Sequence, residues 1–229
     1  MDRSVALLVP RRTDGGHRDR LWDYVRDRLI ADWRIVEGHH DHGEFSRACA
    51  LNTAAGAAWD AEVLVVMDSD TVVAPEQIAS AVDIARATGI VTFAFGRFAG
   101  LTETGTAKIL NGYTGSWEPF VDLTFENTAS SCLAVRRDLW ETVGGFDERF
   151  VGWSFEDVAF SLACQAVGGG MHRVAGTAWH LWHPPAPACG DVYHPIYLRN
   201  QALCQPYRDV GWDDRDGMLA LITRLRAES

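Results

Sequence analysis

Three short stretches of this 229-residue chain carry the residue types that do chemistry. In the first, a β-branched apolar run over residues 63–67 ends abruptly in Asp68-Ser69-Asp70, two carboxylates spaced i, i+2. A strand covered on both faces reads as such a continuous apolar run, and ligands in open α/β sheets collect at strand carboxyl ends. Two acids placed there repel each other unless a cation sits beside them. Hard oxygen ligands suit Mg²⁺ or Mn²⁺, ions that link a protein carboxylate to a diphosphate. A solvated strand-end turn uses the same residue types, so the pattern needs company before it means a metal.

The second stretch is Gly144-Gly145-Phe146, a loop, and then Gly152-Trp153-Ser154-Phe155-Glu156-Asp157. Two adjacent acids open a helix here. The helix macrodipole favours acids at that position on purely structural grounds. The chemical reading is a carboxylate base presented from a rigid helix end beside an aromatic wall. The third stretch is Trp179-His180-Leu181-Trp182-His183, with imidazoles spaced i, i+3 between tryptophans. Both rings can face one side of a tight turn, and a mixed set of Asp70, His180 and His183 is compatible with Mn²⁺. An aromatic–histidine packing cluster is the plainer alternative.

These groups need a scaffold, and the hydrophobic periodicity supplies one. Residues 5–9 read as a strand stopped by Pro10, residues 17–31 as a helix, 33–36 as a strand and 46–58 as a small-residue helix. The strand over 62–67 follows, then a helix led by Pro75 to residue 87 and a strand over 90–95. Such β-α alternation specifies a parallel three-layer sheet for the first hundred residues. Residues 96–118, rich in Gly and Thr, read as an irregular loop near the site. Strands over 128–135 and 171–175, helices over 138–143 and 156–167, a stiff Pro184–Pro187 segment and helices near 194–205 and 213–226 complete the chain.

Composition narrows the field. Apolar content of 47% with 23% charged residues is ordinary for a globular protein, and the net charge of −10 disfavours nucleic acid and anionic membranes as general partners. No run approaches the ~18 apolar residues of a membrane-spanning helix, and the Met-Asp-Arg-Ser start lacks a signal peptide's pattern. Cys49, Cys132, Cys164, Cys189 and Cys204 are scattered without a C-x-x-C pair, which points to reduced thiols and a cytoplasmic setting. His39, His40 and His42 read as a polar loop rather than a metal cluster.

Taken together, these residues resemble the family-7 type β-1,4-galactosyltransferases and related GT-A glycosyltransferases, including the polypeptide N-acetylgalactosaminyltransferases. The resemblance runs from Val5 to about His183. It implies an α/β GT-A fold, Rossmann-like, with a mainly parallel central sheet flanked by helices. One domain would span 1–229, with a nucleotide-binding half over 1–100, an acceptor and catalytic half over 101–190, and a helical extension over 191–229. Val9-Pro10-Arg11-Arg12 stands where the family's Pro-Phe-Arg grips uridine, implying contacts from Pro10 and Arg12. Phe45-Ser46-Arg47-Ala48, with Leu51-Asn52, matches a second nucleotide segment and implicates Phe45 and Arg47. The family's Asp-x-Asp falls on Asp68-Ser69-Asp70, with Asp70 a metal ligand, and its closing ligand pair falls on His180 and His183. Its Trp-Gly-Gly-Glu-Asp falls on Trp153 through Asp157, making Asp157 the catalytic base, Glu156 a donor-sugar contact and Trp153 a sugar-facing aromatic.

The resemblance thus implies an enzyme that moves a hexose or N-acetylhexosamine from a UDP-sugar to an acceptor hydroxyl with inversion, using Mn²⁺ or Mg²⁺. Retaining transfer to protein, or sugar nucleotidyl transfer, is the alternative, and a non-catalytic sugar-binding module is a further rival. A protein, a glycan or a lipid-linked sugar is favoured over DNA as acceptor, and a bacterial or viral source is implied. Two departures stand out: Ser154-Phe155 replaces two family glycines, and Arg11 occupies an aromatic position.

Overall fold

The computed structural model describes residues 4–29, 31–186 and 189–227. The chain start, Ile30 of the expected first helix and Pro187 of the expected stiff segment lie outside the described residues.

The chain runs β1 (Val5–Arg11), α1 (His17–Leu29), β2 (Ile35–His39), α2 (Arg47–Ala57), β3 (Val63–Met67), a short β4 (Thr71–Val72), α3 (Pro75–Thr88) and β5 (Val91–Phe93). It continues through β6 (Arg97–Leu101), α4 (Glu103–Leu110), β7 (Val121–Glu126), β8 (Cys132–Arg136), α5 (Arg137–Val143), α6 (Glu156–Gly168), β9 (Met171–Arg173), β10 (Thr177–His180), α7 (Pro195–Val210) and α8 (Arg215–Ala227). Six strands form the main sheet in the order β2-β1-β3-β8-β5-β9, and four form a second sheet in the order β4-β10-β6-β7. Strands β1 and β3 are buried throughout their apolar runs, and with the helices packed on both faces they make the core. Glycine matters at one contact of this layer: a Cβ on Gly38 of β2 would lie 1.8 Å from the Ala50 carbonyl of α2. The α2 helix therefore approaches the sheet more closely than any side chain at residue 38 would permit.

Two expectations are corrected. The first hundred residues do not form an unbroken parallel sheet. Strands β2, β1 and β3 are parallel, but β8 enters between β3 and β5 and runs antiparallel to both. The reason is the path of the chain. After β5 it stays at the carboxyl end of the sheet to build β6, α4 and β7, so the next strand must enter from that end and run backwards. Its run Cys132-Leu133-Ala134-Val135 is apolar on both faces and suits a covered central position.

Residues 96–118 are not an irregular loop either. They hold β6 and α4, the latter capped by Thr102, whose hydroxyl accepts from Gly105 N at 3.0 Å. The glycines there serve close packing: a Cβ on Gly105 would meet the Phe120 ring within 2.7 Å. Strand β7 pairs antiparallel with β6, and the expected strand over 128–135 shortens to β8.

Candidate active site

The two sheets meet where β3 ends. Asp68 and Asp70 leave the buried strand, and residues 71–72 turn at once into the second sheet. There Thr71 pairs with His180 and Val72 with Trp179, and the Asp70 carbonyl accepts from Leu181 N at 2.8 Å. This short ladder brings the third stretch of the sequence against the first. Asp70 is only 7% exposed. Its two oxygens face the two imidazoles: Oδ1 lies 3.4 Å from His180 Nε2, and Oδ2 lies 3.2 Å from His183 Nε2. Among the described residues, these three are the one set of His, Cys, Asp or Glu whose donor atoms gather within 4.8 Å.

Neighbouring elements pin the histidine loop. His17, at the start of α1, contacts the Trp182 carbonyl through Nε2 at 2.8 Å, and Thr106 of α4 accepts from Trp182 N at 2.8 Å. Arg18 places one nitrogen 3.1 Å from His183 Nδ1 and another 3.9 Å from Asp70. Burial would raise the Asp70 carboxyl, but His180, His183 and Arg18 outweigh it and hold the group well below the usual carboxylate range. Burial would lower the His183 imidazole, yet the hydrogen bond and charge of Asp70, with the Pro184 carbonyl, hold it above its ordinary value. The Pro184 carbonyl, 2.8 Å from His183 Nδ1, accepts when that atom carries the proton, whereas the Arg18 N–H beside it donates only when the atom does not. His180 and His183 each present Nε2 to Asp70. A carboxylate faced by two imidazole nitrogens fits a divalent cation.

Arg47 joins this half of the site to the acids of α6. Its guanidinium binds Asp68 Oδ1 through Nε at 2.9 Å and Nη2 at 2.7 Å, while Nη1 lies 3.7 Å from Glu156 Oε1. Ser130 supplies a hydroxyl to the other Asp68 oxygen at 3.1 Å. Burial weakens the Arg47 charge, but Asp68, Glu156 and Asp157 together keep it protonated more firmly than usual. Burial, with the neighbouring Asp157 charge, pushes Glu156 up to about 8, and Arg47 offsets this only in part. Asp157 is raised as well, by burial, against the pull of Arg47. The two adjacent carboxyls titrate as a pair. Raised to about 8, Glu156 carries a proton at neutral pH.

The loop before α6 is fixed from several sides. Asn52 grips Phe146 through its amide nitrogen to the carbonyl (2.8 Å) and its amide oxygen from the backbone N–H (2.9 Å). Gly152 N donates to the Phe45 carbonyl at 2.8 Å, and the Ser46 hydroxyl donates to the Phe150 carbonyl at 3.0 Å. Trp153 is 39% exposed and stacks on Tyr197 of α7, with ring centroids 6.3 Å apart. The backbone at Ser154 (φ 91°) and Phe155 (φ 76°) is left-handed although neither residue is glycine.

The remaining expected residues have definite places. Pro10 is buried in β1 opposite Gly38. Arg12 donates to the carbonyls of His40, His42 and Gly43 and lies over the Phe45 ring at 5.6 Å, so it shapes the loop that leads to α2. Arg11 is held by Asp19 and Glu37. Ser69 is partly exposed between the two acids. His40 accepts from Ser46 N at 3.2 Å and is part of a polar loop, with no metal cluster among these histidines. Sequence reasoning missed Arg18, Thr106, Ser130 and Asn200, which no local pattern marks.

No protein-family model matches the sequence, and no curated protein matches it. Solved structures do. TarS of S. aureus superposes on 98% of this chain with a TM-score of 0.54 at 13% identity, and the match covers 42% of the TarS chain. The fold is that of the GT-A glycosyltransferases. GalNAc-T7, solved with UDP, GalNAc and Mn²⁺, matches 97% of this chain at a TM-score of 0.51 and 12% identity, over 54% of its own length. The Drosophila β-1,4-galactosyltransferase 7, solved with manganese, UDP-Gal and xylobiose, has 18% identity over 78% of this chain and 71% of its own, at a TM-score of 0.48. The chain thus spans about half the length of TarS and GalNAc-T7, and what it shares with them is the GT-A core. Among the described residues, no helix of that core is long and apolar enough to cross a membrane.

Proposed function

We propose that this chain is a metal-dependent glycosyltransferase that moves a hexose or N-acetylhexosamine from a UDP-sugar to an acceptor hydroxyl with inversion. The observation that carries the reading is the convergence of Asp70, His180 and His183 at the carboxyl end of β3, where a GT-A core receives its nucleotide. Those three residues would hold Mn²⁺ or Mg²⁺, and the ion would offset the charge that builds on the departing diphosphate. The likeness to GalNAc-T7, a structure with UDP, GalNAc and Mn²⁺, supports this donor class.

The chain's own groups then divide the work. Asp157 accepts the proton of the acceptor hydroxyl as its oxygen bonds to the anomeric carbon and the bond to UDP breaks, through an oxocarbenium-like state. Glu156, protonated at neutral pH, donates a hydrogen bond to the donor sugar. Arg47 holds the Asp68 and Glu156 carboxyls at their separation and compensates the charge of Asp68. Phe45, Pro10 and Arg12 shape the uridine side, Asp68 and Ser69 line the sugar side, and Trp153 offers an aromatic face to the sugar. The acceptor is a glycan, protein or lipid-linked sugar hydroxyl, since a net charge of −10 opposes a nucleic acid.

UDP release from a panel of UDP-sugars, with Mn²⁺ and with EDTA, tests the reading without a known acceptor, because water substitutes slowly for it. Proton NMR of the released sugar gives the anomeric configuration. Metal-independent release, or pyrophosphate as the product, would overturn the reading in favour of a different chemistry.

A further inference from the structure

One face of α7 closes on the loop that leads into Glu156. Asn200 is fully buried, 0% exposed, and its Nδ2 donates to the carbonyls of Val151 (3.1 Å), Trp153 (3.1 Å) and Ser154 (3.2 Å). Arg199 adds a bond to the Val151 carbonyl at 3.2 Å. One turn earlier, Ile196 lies against Gly152, where a Cβ would approach its Cγ2 to 2.9 Å. Tyr197 stacks on Trp153 and meets Phe155 edge-on at 5.1 Å.

Three carbonyls converge on one amide because the backbone turns over at Ser154 and Phe155, both left-handed. Side-chain residues hold such geometry only where their surroundings over-determine it. A short side chain with two N–H groups meets that need. Aspartate offers no donor and serine offers one. Phe155 is the residue immediately before α6, so this turn sets where the helix begins. It thereby sets the 3.7 Å approach of Glu156 to Arg47 and the placement of Asp157.

We propose that Asn200 is a positioning residue, the latch by which α7 holds the 151–155 loop so that Glu156 and Asp157 stand in working geometry. Helix α7 then positions the catalytic acids rather than serving as an appended support. The inference rests on the glycosyltransferase reading above.

The test uses the full chain carrying Asn200→Asp or Asn200→Ser, with Ile196→Ala as a packing control. Measured are Mn²⁺-dependent UDP binding by calorimetry, kcat and KM for UDP release, thermal midpoint, and amide exchange of the peptide covering 150–157. UDP affinity should stay within about twofold of the parent, because the metal cluster is untouched, while kcat falls about 10- to 100-fold, the usual cost of slight misplacement. Exchange in 150–157 should quicken in step. A kcat within about twofold of the parent, or a loss that merely tracks the unfolded fraction, would overturn the latch. So would an equal loss in Ile196→Ala, which would make packing the cause. A parent protein that releases no UDP defeats the glycosyltransferase reading instead. The exchange measurement still decides the latch in that case.

Discussion

An ion bound by Asp70, His180 and His183 must take the place of a proton. In the ion-free protein Asp70 holds the His183 imidazole above its ordinary pKa, so the ring stays protonated at Nε2, the atom that would bind metal. Below that raised value each pH unit costs metal affinity about tenfold, or about 1.4 kcal/mol. An ion at roughly a hundred times its dissociation constant stabilises the fold by about 2.7 kcal/mol. With 229 residues and about 2.1 cal/mol/K of unfolding entropy per residue, that raises the melting temperature by about 6 °C. One pH unit lower the same ion concentration is worth about 1.4 kcal/mol and about 3 °C, and two units lower less than about 1 °C. The ion-free protein should show the opposite slope. A histidine with a raised folded pKa contributes stability below its unfolded value near 6.5, and that contribution is lost as pH rises through the raised one. Thermal unfolding with Mn²⁺ and with EDTA at three pH values between about 5.5 and 8.5 reads both slopes at once. A manganese shift that ignores pH, or one that survives Asp70→Ala, would refute the reasoning.

Three further outcomes follow from the acids and Arg47. Asp157→Asn should reduce transfer by about 10²–10⁴-fold while leaving Mn²⁺-dependent UDP binding nearly intact, and near-normal turnover would remove the base from the mechanism. Glu156→Gln should stabilise the protein above pH 8 by about 2–4 kcal/mol, with no gain near pH 4. A carboxyl raised from 4.5 to about 8 in the fold opposes folding increasingly as pH rises through that window. Equal chemical-denaturation midpoints at pH 9 would contradict that. Arg47→Met should destabilise by about 3–5 kcal/mol, since it leaves the Asp68 carboxylate without its counter-ion. Arg47→Lys should recover only part of this, because a single ammonium cannot reproduce the paired contacts to Asp68; circular-dichroism melts of the three proteins would show the order.

The sequence by itself determined the chemical types and their local setting. The apolar run into Asp68-Ser69-Asp70 announced a strand end, and Glu156-Asp157 announced a helix start, because periodicity and helix electrostatics act over a few residues. Both proved to sit there, at the end of β3 and the start of α6. The i, i+3 spacing of His180 and His183 was visible too, though not what they would face. Other features depended on residues far apart in the chain. β6 and α4 were hidden because Gly100 and Gly105 read as loop formers, whereas they make room for Leu123 and Phe120. The place of β8 between β3 and β5 depends on which end of the sheet the chain has reached, and no local pattern records that. Arg47 is visible as a cation in the sequence, but only the packed structure sets it between Asp68 and Glu156. Asn200 is an unremarkable polar residue on a helix until the fold brings three carbonyls of a distant loop to its amide. Local propensity and pattern choose the elements, while burial of one against another decides which charges must be paired and which backbone groups must be satisfied.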